Sequence, residues 1–414
     1  MKGQDMPMEE VLWDVIIVGG GAAGLAAAAS LLKRKPTLSL AIVEPSDRHY
    51  YQPAWTLVGG GCFNPEDTCR STASLIPHAA KWIRSRVTRL LPQQSQVALE
   101  NGELLSYRTL VVAPGLELHW AAIAGLEDTL GKHGVTSNYR YDLAAYTWEC
   151  VQKLKTGRAL FTQPAMPIKC AGAPQKAMYL SCHHWEKQGC LNHIDVHFHN
   201  TGGALFGVAD FVPPLMEYVK RYHAHLAFSS ELIAVDGPAQ TATFRDTAAD
   251  GSSHERSEAF DMLHVVPPQR APAFVRNSEL ANAAGWVAVD EATLQHPHYA
   301  NVFSLGDACG ASNAKTAAAV RKQAPVVAEN LLAWLGKQPM RARYTGYGAC
   351  PLTVEKGKVV LAEFGYGGKL QPSFPLNPAV ARSSMWWLKR HAMPRIYFSL
   401  MLKGHEWLAK PDKL

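Results

Sequence analysis

The first stretch of this chain able to do chemistry is Gly19-Gly20-Gly21-Ala22-Ala23-Gly24, which fits G-x-G-x-x-G at Gly19, Gly21 and Gly24. Gly19 permits a tight turn, Gly21 lets a pyrophosphate approach the backbone, and Gly24 lets a helix pack close to a strand. Gly20 and Ala23 fall in the same small-residue cradle. The N-terminus of the following helix offers free N–H groups and a positive dipole end to phosphates. Twenty residues beyond Gly24 stands Glu44, where an acid can hold ribose hydroxyls. These residues point to dinucleotide binding. The second chemically loaded position is Cys170, which follows Lys169 and precedes a helical stretch. Both features lower a thiol pKa and raise its thiolate fraction. Cys350 stands in Gly348-Ala349-Cys350-Pro351 at the head of an apolar hairpin. With these two cysteines 180 positions apart, only the fold could bring them together, and composition alone leaves both as buried thiols. Cys62, Cys69, Cys150, Cys182, Cys190 and Cys309 show no C-x-x-C and no zinc-like spacing. Cys150 is left unassigned, the other five read as structural thiols, and no metal is expected.

The elements that must position these groups follow from hydrophobic pattern. Val15–Val18 is a short apolar run of the kind buried in a parallel sheet, feeding the glycines and then the alanine-rich helix Leu25–Leu32. LSLAIVE closes a second apolar strand on Glu44. Tyr50-Tyr51-Gln52-Pro53 lies where a loop returns over a bound cofactor, which makes Gln52 a candidate contact. Short strands are expected at Arg86–Leu90, bringing Val87 to the cofactor, and at Gln96–Leu99. Tyr107–Gly115 is a buried strand ending in Ala-Pro-Gly, with Gly115 at the cofactor.

A second α/β segment follows: strand Arg158–Gln163, helix Gln175–Lys187, strand Ile194–His199, helix Pro213–His225 and strand Asp261–Val266. No glycine fingerprint follows its first strand, where two prolines stiffen the turn leading to Cys170, and its next strand ends His199-Asn200 with no acid. This lobe has the architecture of a nucleotide-binding domain without tight NAD(P) binding. The chain then returns to the first domain through VFSLGD (Val302–Asp307) and a long helix, Thr316–Leu335. The fold class is therefore α/β, with two Rossmann-like domains and a C-terminal amphipathic region. The expected division is 1–115 with 300–345, then 116–299 carrying Cys170, then 346–414 carrying Cys350. At 414 residues with 47% hydrophobic content, the chain is ordinary globular material rather than disordered. Its net charge of +6 calls for no nucleic-acid partner. Met1–Glu10 has no basic segment of a cleavable targeting signal.

Several long motifs resemble the sulfide:quinone oxidoreductases of the two-cysteine type, within the flavoprotein disulfide reductase superfamily. They are PIKCAGAPQKAMYLS (Pro167–Ser181), MLHVVPP (Met262–Pro268), NVFSLGDACG (Asn301–Gly310), KTAAAV (Lys315–Val320) and ACPLTVEKGKVVLAEF (Ala349–Phe364). The resemblance implies FAD as cofactor, with Asp307 on its ribityl chain and the following helix aimed at the flavin ring, where Lys315 supplies a cation. It implies that Cys170 and Cys350 are a redox pair. Sulfide attacks their oxidised bridge, Cys350 takes the sulfur as a persulfide, and Cys170 is the flavin-facing thiol. It implies that electrons pass to a quinone, ubiquinone or menaquinone, with Phe364 and Tyr366 as candidates for its pocket. The sulfur then leaves as polysulfide or to a small acceptor such as glutathione, sulfite or coenzyme A. Two rival readings remain beside this one. An NAD(P)H:quinone dehydrogenase would share the fold, and a non-enzymatic flavoprotein or sulfur sensor would share the motifs.

Val380–Leu414 carries seven basic and two acidic residues among Trp386, Trp387, Tyr397, Phe398 and Trp407. This pattern reads as two interfacial amphipathic helices broken at Pro394, facing anionic lipid and separable from the FAD domain. No run here is long enough to span a bilayer. Peripheral, monotopic association with a bacterial inner membrane is the expected location, with homo-oligomerisation left open.

Overall fold

The computed structural model describes residues 11–414; the expectation about Met1–Glu10 lies outside them. Val15–Val18 is fully buried because neighbours flank it on both sides. Strand Leu12–Val18 pairs in parallel with Leu40–Val43 (Val15 opposite Leu40) and with Leu104–Val112 (Val15 opposite Thr109). Ala80–Ile83 extends the sheet beyond Leu40–Val43. On the other side, the antiparallel pair Val87–Leu91 and Gln96–Leu99 joins Leu104–Val112. Val302–Ser304 returns from far along the chain to pair with Leu104–Val112. The carboxyl ends of these strands therefore converge on the crevice where open α/β sheets bind ligands. The alanine-rich helix Ala22–Arg34 packs against the long helix Ala317–Leu335, small side chains allowing close approach.

The second lobe is a parallel sheet in the order Val135–Thr136, Met262–His264, Gly157–Gln163, Ile194–Asn200, His225–Phe228. Its glycine-poor turn leads into helix Ala173–Lys187. The helix expected over Pro213–His225 spans Val212–Arg221, and His225 instead opens the edge strand. A three-stranded antiparallel sheet, Ser230–Asp236, Thr241–Thr247 and Ser253–Ala259, lies beside it. The hairpin Gly348–Glu355 and Lys358–Phe364 packs on helix Ala173–Lys187.

The tail corrects two expectations. Residues 383–403 form one winding helical segment, and Pro394 does not break it. π-turns at Leu388–Ala392 and Ile396–Leu400 flank the proline, and the wider i→i+5 pattern accommodates its missing N–H. Nor is the tail separable from the first domain. Tyr397, Met401 and Leu402 are buried in the core that holds Leu25 and Leu31. Arg34 donates to Glu406 at 2.5 and 2.8 Å, and Lys33 donates to the Gly404 carbonyl at 3.1 Å.

Candidate active site

Gly20, Gly21, Ala22, Ala23 and Glu44 form one end of a cavity of about 560 Å³. Gly19 and Gly24 build its floor rather than its wall. Gly19 has φ +102°, and a Cβ there would meet the Ala113 carbonyl at 2.4 Å; one at Gly24 would meet the Gly19 carbonyl at 1.8 Å. A Cβ on Gly21 would meet nothing within 4 Å, so this position opens into the cavity. Glu44 accepts from the Gly20 N–H and the Ser46 N–H, both at 2.7 Å, which holds its carboxylate beside the fingerprint. The cavity continues past Gln52 and Gly115 to Asp307 and the N-terminus of Ala317–Leu335, which Thr316 caps through the Ala319 N–H.

These features fit a dinucleotide that carries a flavin. Two helix N-termini face the cavity, and such termini favour anionic groups. Asn138 lies on the wall, buried, with both side-chain polar atoms unpartnered. The Asp307 carboxyl is raised by desolvation against the nearby charges of Lys315 and Lys169, and accepts no hydrogen bond from the described residues.

Cys170 stands on the same cavity wall, while Cys350 is fully buried. Their thiols are close enough that each shifts the ionisation of the other. The local fold explains how 180 residues close to one contact. Cys170 sits at φ +50°, a left-handed turn between strand Gly157–Gln163 and helix Ala173–Lys187. Its N–H is held by the Lys315 carbonyl at 2.9 Å, and the Tyr139 hydroxyl donates to the Lys169 carbonyl at 3.0 Å. At Gly172 a Cβ would meet Leu352 at 2.1 Å, so the backbone passes hard against the hairpin strand. Strand alternation sends Cys350, Leu352 and Val354 toward that helix.

Lys176, one turn into the helix, donates to Cys170 Sγ at 3.1 Å. The hydrogen bond with Cys350, followed by the Lys176 ammonium, holds Cys170 well below the ordinary thiol range despite burial. The same contact and burial push Cys350 well above it. The pair is thus poised with the thiolate on the cavity side and the proton on the buried sulfur. Lys389 adds a further cation. It is 5% exposed, donates to the Pro351 carbonyl at 3.0 Å and the Thr353 hydroxyl at 2.5 Å, and is driven down by burial and then by Lys176. Sequence reasoning missed both lysines. Lys176 had a legible signal, a first-turn lysine six residues after the cysteine. Lys389 had none, because it hides in a run of basic residues that reads as surface.

Four expectations change. Lys169 is near Cys170 but does not hydrogen-bond its thiol, the place that Lys176 takes. The Lys169 Nζ donates to Gln52 at 2.6 Å, and desolvation brings its pKa to about 8. Lys315 is on the cavity lining, but its Nζ is tied down: it donates to the Asp307 and Cys309 carbonyls, both at 2.8 Å, and lies 4.0 Å from the Trp286 ring centre. It locks the Gly-Asp turn instead. Val87 is off the cavity wall, packed in the sheet core. Phe364 and Tyr366 are also off the wall. Alternation along Lys358–Phe364 turns Leu361 and Glu363 to the cavity and sends Phe364 toward Phe206, with ring centres 5.9 Å apart. Tyr366 donates to the Glu291 carbonyl at 2.7 Å. The apolar cavity wall near the tail is made instead by Leu361, Phe374, Leu388, Met393 and Ile396.

The profile of the pyridine nucleotide-disulphide oxidoreductases matches residues 13–147. The mitochondrial sulfide:quinone oxidoreductase of Dictyostelium discoideum is 39% identical over 373 residues, 90% of this chain and 81% of that protein. That of Mus musculus is 38% identical over 393 residues, 95% of this chain and 87% of that protein. Among solved structures, the sulfide:quinone oxidoreductase of Aquifex aeolicus superposes with a TM-score of 0.77 at 18% identity, covering 95% of this chain and 92% of that one.

Proposed function

The chain belongs to the sulfide:quinone oxidoreductases, and on that premise we propose that Cys170 and Cys350 are the dithiol through which it oxidises sulfide. It is an FAD-dependent oxidoreductase that oxidises sulfide and reduces quinone. The observation carrying the dithiol reading is that Cys170 and Cys350 shift each other's ionisation while the Lys176 ammonium donates to Cys170.

Gly20, Gly21, Ala23, Glu44, Asn138 and Asp307 would hold FAD, with Cys170 beside it. FAD held there would supply two-electron redox chemistry between the dithiol and quinone. In the oxidised chain the two sulfurs are bridged. Hydrosulfide attacks the Cys350 sulfur, the S–S bond breaks, Cys350 keeps the added sulfur as a persulfide, and Cys170 leaves as thiolate. Lys176 stabilises that leaving thiolate, which is why Cys170 rather than Cys350 is released. Lys389, desolvated beside both sulfurs, is placed to exchange a proton with them. A nucleophilic acceptor then removes the outer sulfur from Cys350; glutathione, sulfite and coenzyme A all have the required chemistry. Quinone approaches along the wall of Leu361, Phe374, Leu388, Met393 and Ile396.

That wall supports peripheral membrane association. Phe374, Trp407 and Leu408 are on the cavity lining yet exposed, and Leu376 and Trp387 add apolar surface nearby in the chain. Among the described residues no helix is long and apolar enough to cross a membrane. The target is a quinone-bearing membrane; the names of the similar eukaryotic proteins favour a mitochondrial one over the bacterial inner membrane.

Cys170→Ser and Cys350→Ser should each abolish sulfide-driven reduction of a water-soluble quinone, with FAD content unchanged, whereas Cys190→Ser should retain it. Near-normal turnover in either of the first two variants sinks the dithiol mechanism. NADH should not replace sulfide as reductant; if it does, the dehydrogenase reading returns.

A further inference from the structure

Strand Ile194–Asn200 carries Asp195, His197 and His199 at every second position, so all three share one face. The edge strand His225–Phe228 pairs with it in parallel, placing His225 opposite His197. Asp195 Oδ1 lies 2.8 Å from His197 Nε2 and 3.7 Å from His225 Nε2. All three donor atoms fall within 4.8 Å of one another. Around tetrahedral zinc, with bonds of about 2.0–2.1 Å, donors sit roughly 3.4 Å apart, so sub-ångström side-chain movements suffice. From this geometry we propose that Asp195, His197 and His225 bind a divalent transition metal of the zinc class, pinning the edge strand of the second lobe to its neighbour.

The surroundings favour the site. Arg158, which stands opposite Asp195 on the next strand, donates from Nε to the other carboxylate oxygen at 2.9 Å. This fixes the carboxylate and leaves Oδ1 for the metal, as outer-shell partners of ligating groups do. His197 stacks on His199 with ring centres 6.1 Å apart, and His199 stacks in turn on Phe244 at 3.8 Å. His199 Nδ1 is 3.0 Å from the Ser230 hydroxyl, so the ring behind His197 is fixed. A second grouping, His197, His199 and Glu258, lies deeper and shares His197 with the first. Asp195 and His225 open onto a cleft of about 1,090 Å³ also lined by Arg158, His193 and His223, where water can take the fourth position. On binding, the metal replaces the Asp195–His197 hydrogen bond, and the His197 ring proton resides on Nδ1 with no change in net charge. This cleft lies at the amino ends of the strands, whereas Cys170 follows the carboxyl end of Gly157–Gln163.

The test uses the FAD-loaded protein carrying Cys170→Ser and Cys350→Ser, so that neither active-site thiol competes for metal. Calorimetric titration with zinc alone should give one equivalent per chain at micromolar affinity or tighter, and zinc should raise the Tm. His225→Gln alters an exposed side chain, so folding is not at stake. It and Asp195→Asn should each weaken zinc binding about tenfold or more. With both cysteines intact, His225→Gln should leave sulfide-driven quinone reduction unchanged. No zinc uptake, or undiminished uptake in both variants, overturns the proposal.

Discussion

Lys176 decides which sulfur of the pair is the thiolate. Its ammonium touches Cys170 Sγ at 3.1 Å, while Cys350 is buried behind, its pKa pushed up by Cys170 and by burial. Cys170 has its pKa lowered in the folded protein, so its thiolate is favoured and is lost as pH falls through the depressed value. Lys176→Met removes a charge-assisted hydrogen bond worth about 1.5–3 kcal/mol, so the acid limb of the pH–rate profile should move to higher pH. Turnover near neutral pH should fall about tenfold or more, and alkylation of the reduced enzyme by iodoacetamide should show the same displacement. An unmoved profile would mean that the contact does not control ionisation. The cysteines themselves were legible only through a family resemblance. Spacing said nothing of their meeting, because the contact depends on a left-handed turn at Cys170 and the parity of the Cys350 strand.

The C-terminal segment shows where element-level reading succeeds and fails. Strands such as Val15–Val18 and helices such as Ala317–Leu335 were readable because burial imposes a period on their own residues. The tail shows aromatic and basic residues together, a pattern equally suited to lipid and to docking on a protein cavity. Docking wins for one face: Leu402 and Tyr397 are buried, and the His49 ring meets the Tyr397 hydroxyl at 2.7 Å. Leu402→Ala should therefore cost about 2–5 kcal/mol, as deletion of a fully buried leucine does, and should lower the urea midpoint. Because Tyr397 and Met401 line the cavity, the same change should also loosen FAD, read as flavin released on dilution. A tail that merely lay on lipid would show neither effect in detergent-free solution. Phe364 and Tyr366 failed for a smaller reason: they are in the right hairpin region, but Phe364 is on the wrong side of the pleat.

At the scale of the molecule, the fingerprint, Cys170 and the apolar wall proposed for quinone border one cavity whose walls come from every part of the chain. The first sheet supplies the fingerprint, the second lobe supplies Cys170, and the tail supplies the apolar end. Water-soluble sulfide and lipid-dissolved quinone must both reach it. The arrangement meets this demand by placing buried cations at the dithiol and exposed aromatics at the tail. Trp387 is 60% exposed and Trp407 is 62% exposed, an arrangement that leaves large apolar area in water unless a bilayer covers it. Burial of one large apolar side chain contributes about 1.5–3 kcal/mol, so replacing both tryptophans by serine should lower partition onto anionic liposomes at least about tenfold. High salt should release the intact protein only partly, since screening acts on Lys403 and Arg395 but not on ring burial. The decisive comparison is between substrates. The double variant should raise KM for a long-tailed quinone presented in liposomes while leaving kcat with a short, water-soluble quinone unchanged. Equal losses with both would mean that the tryptophans support the cavity itself rather than its contact with the membrane.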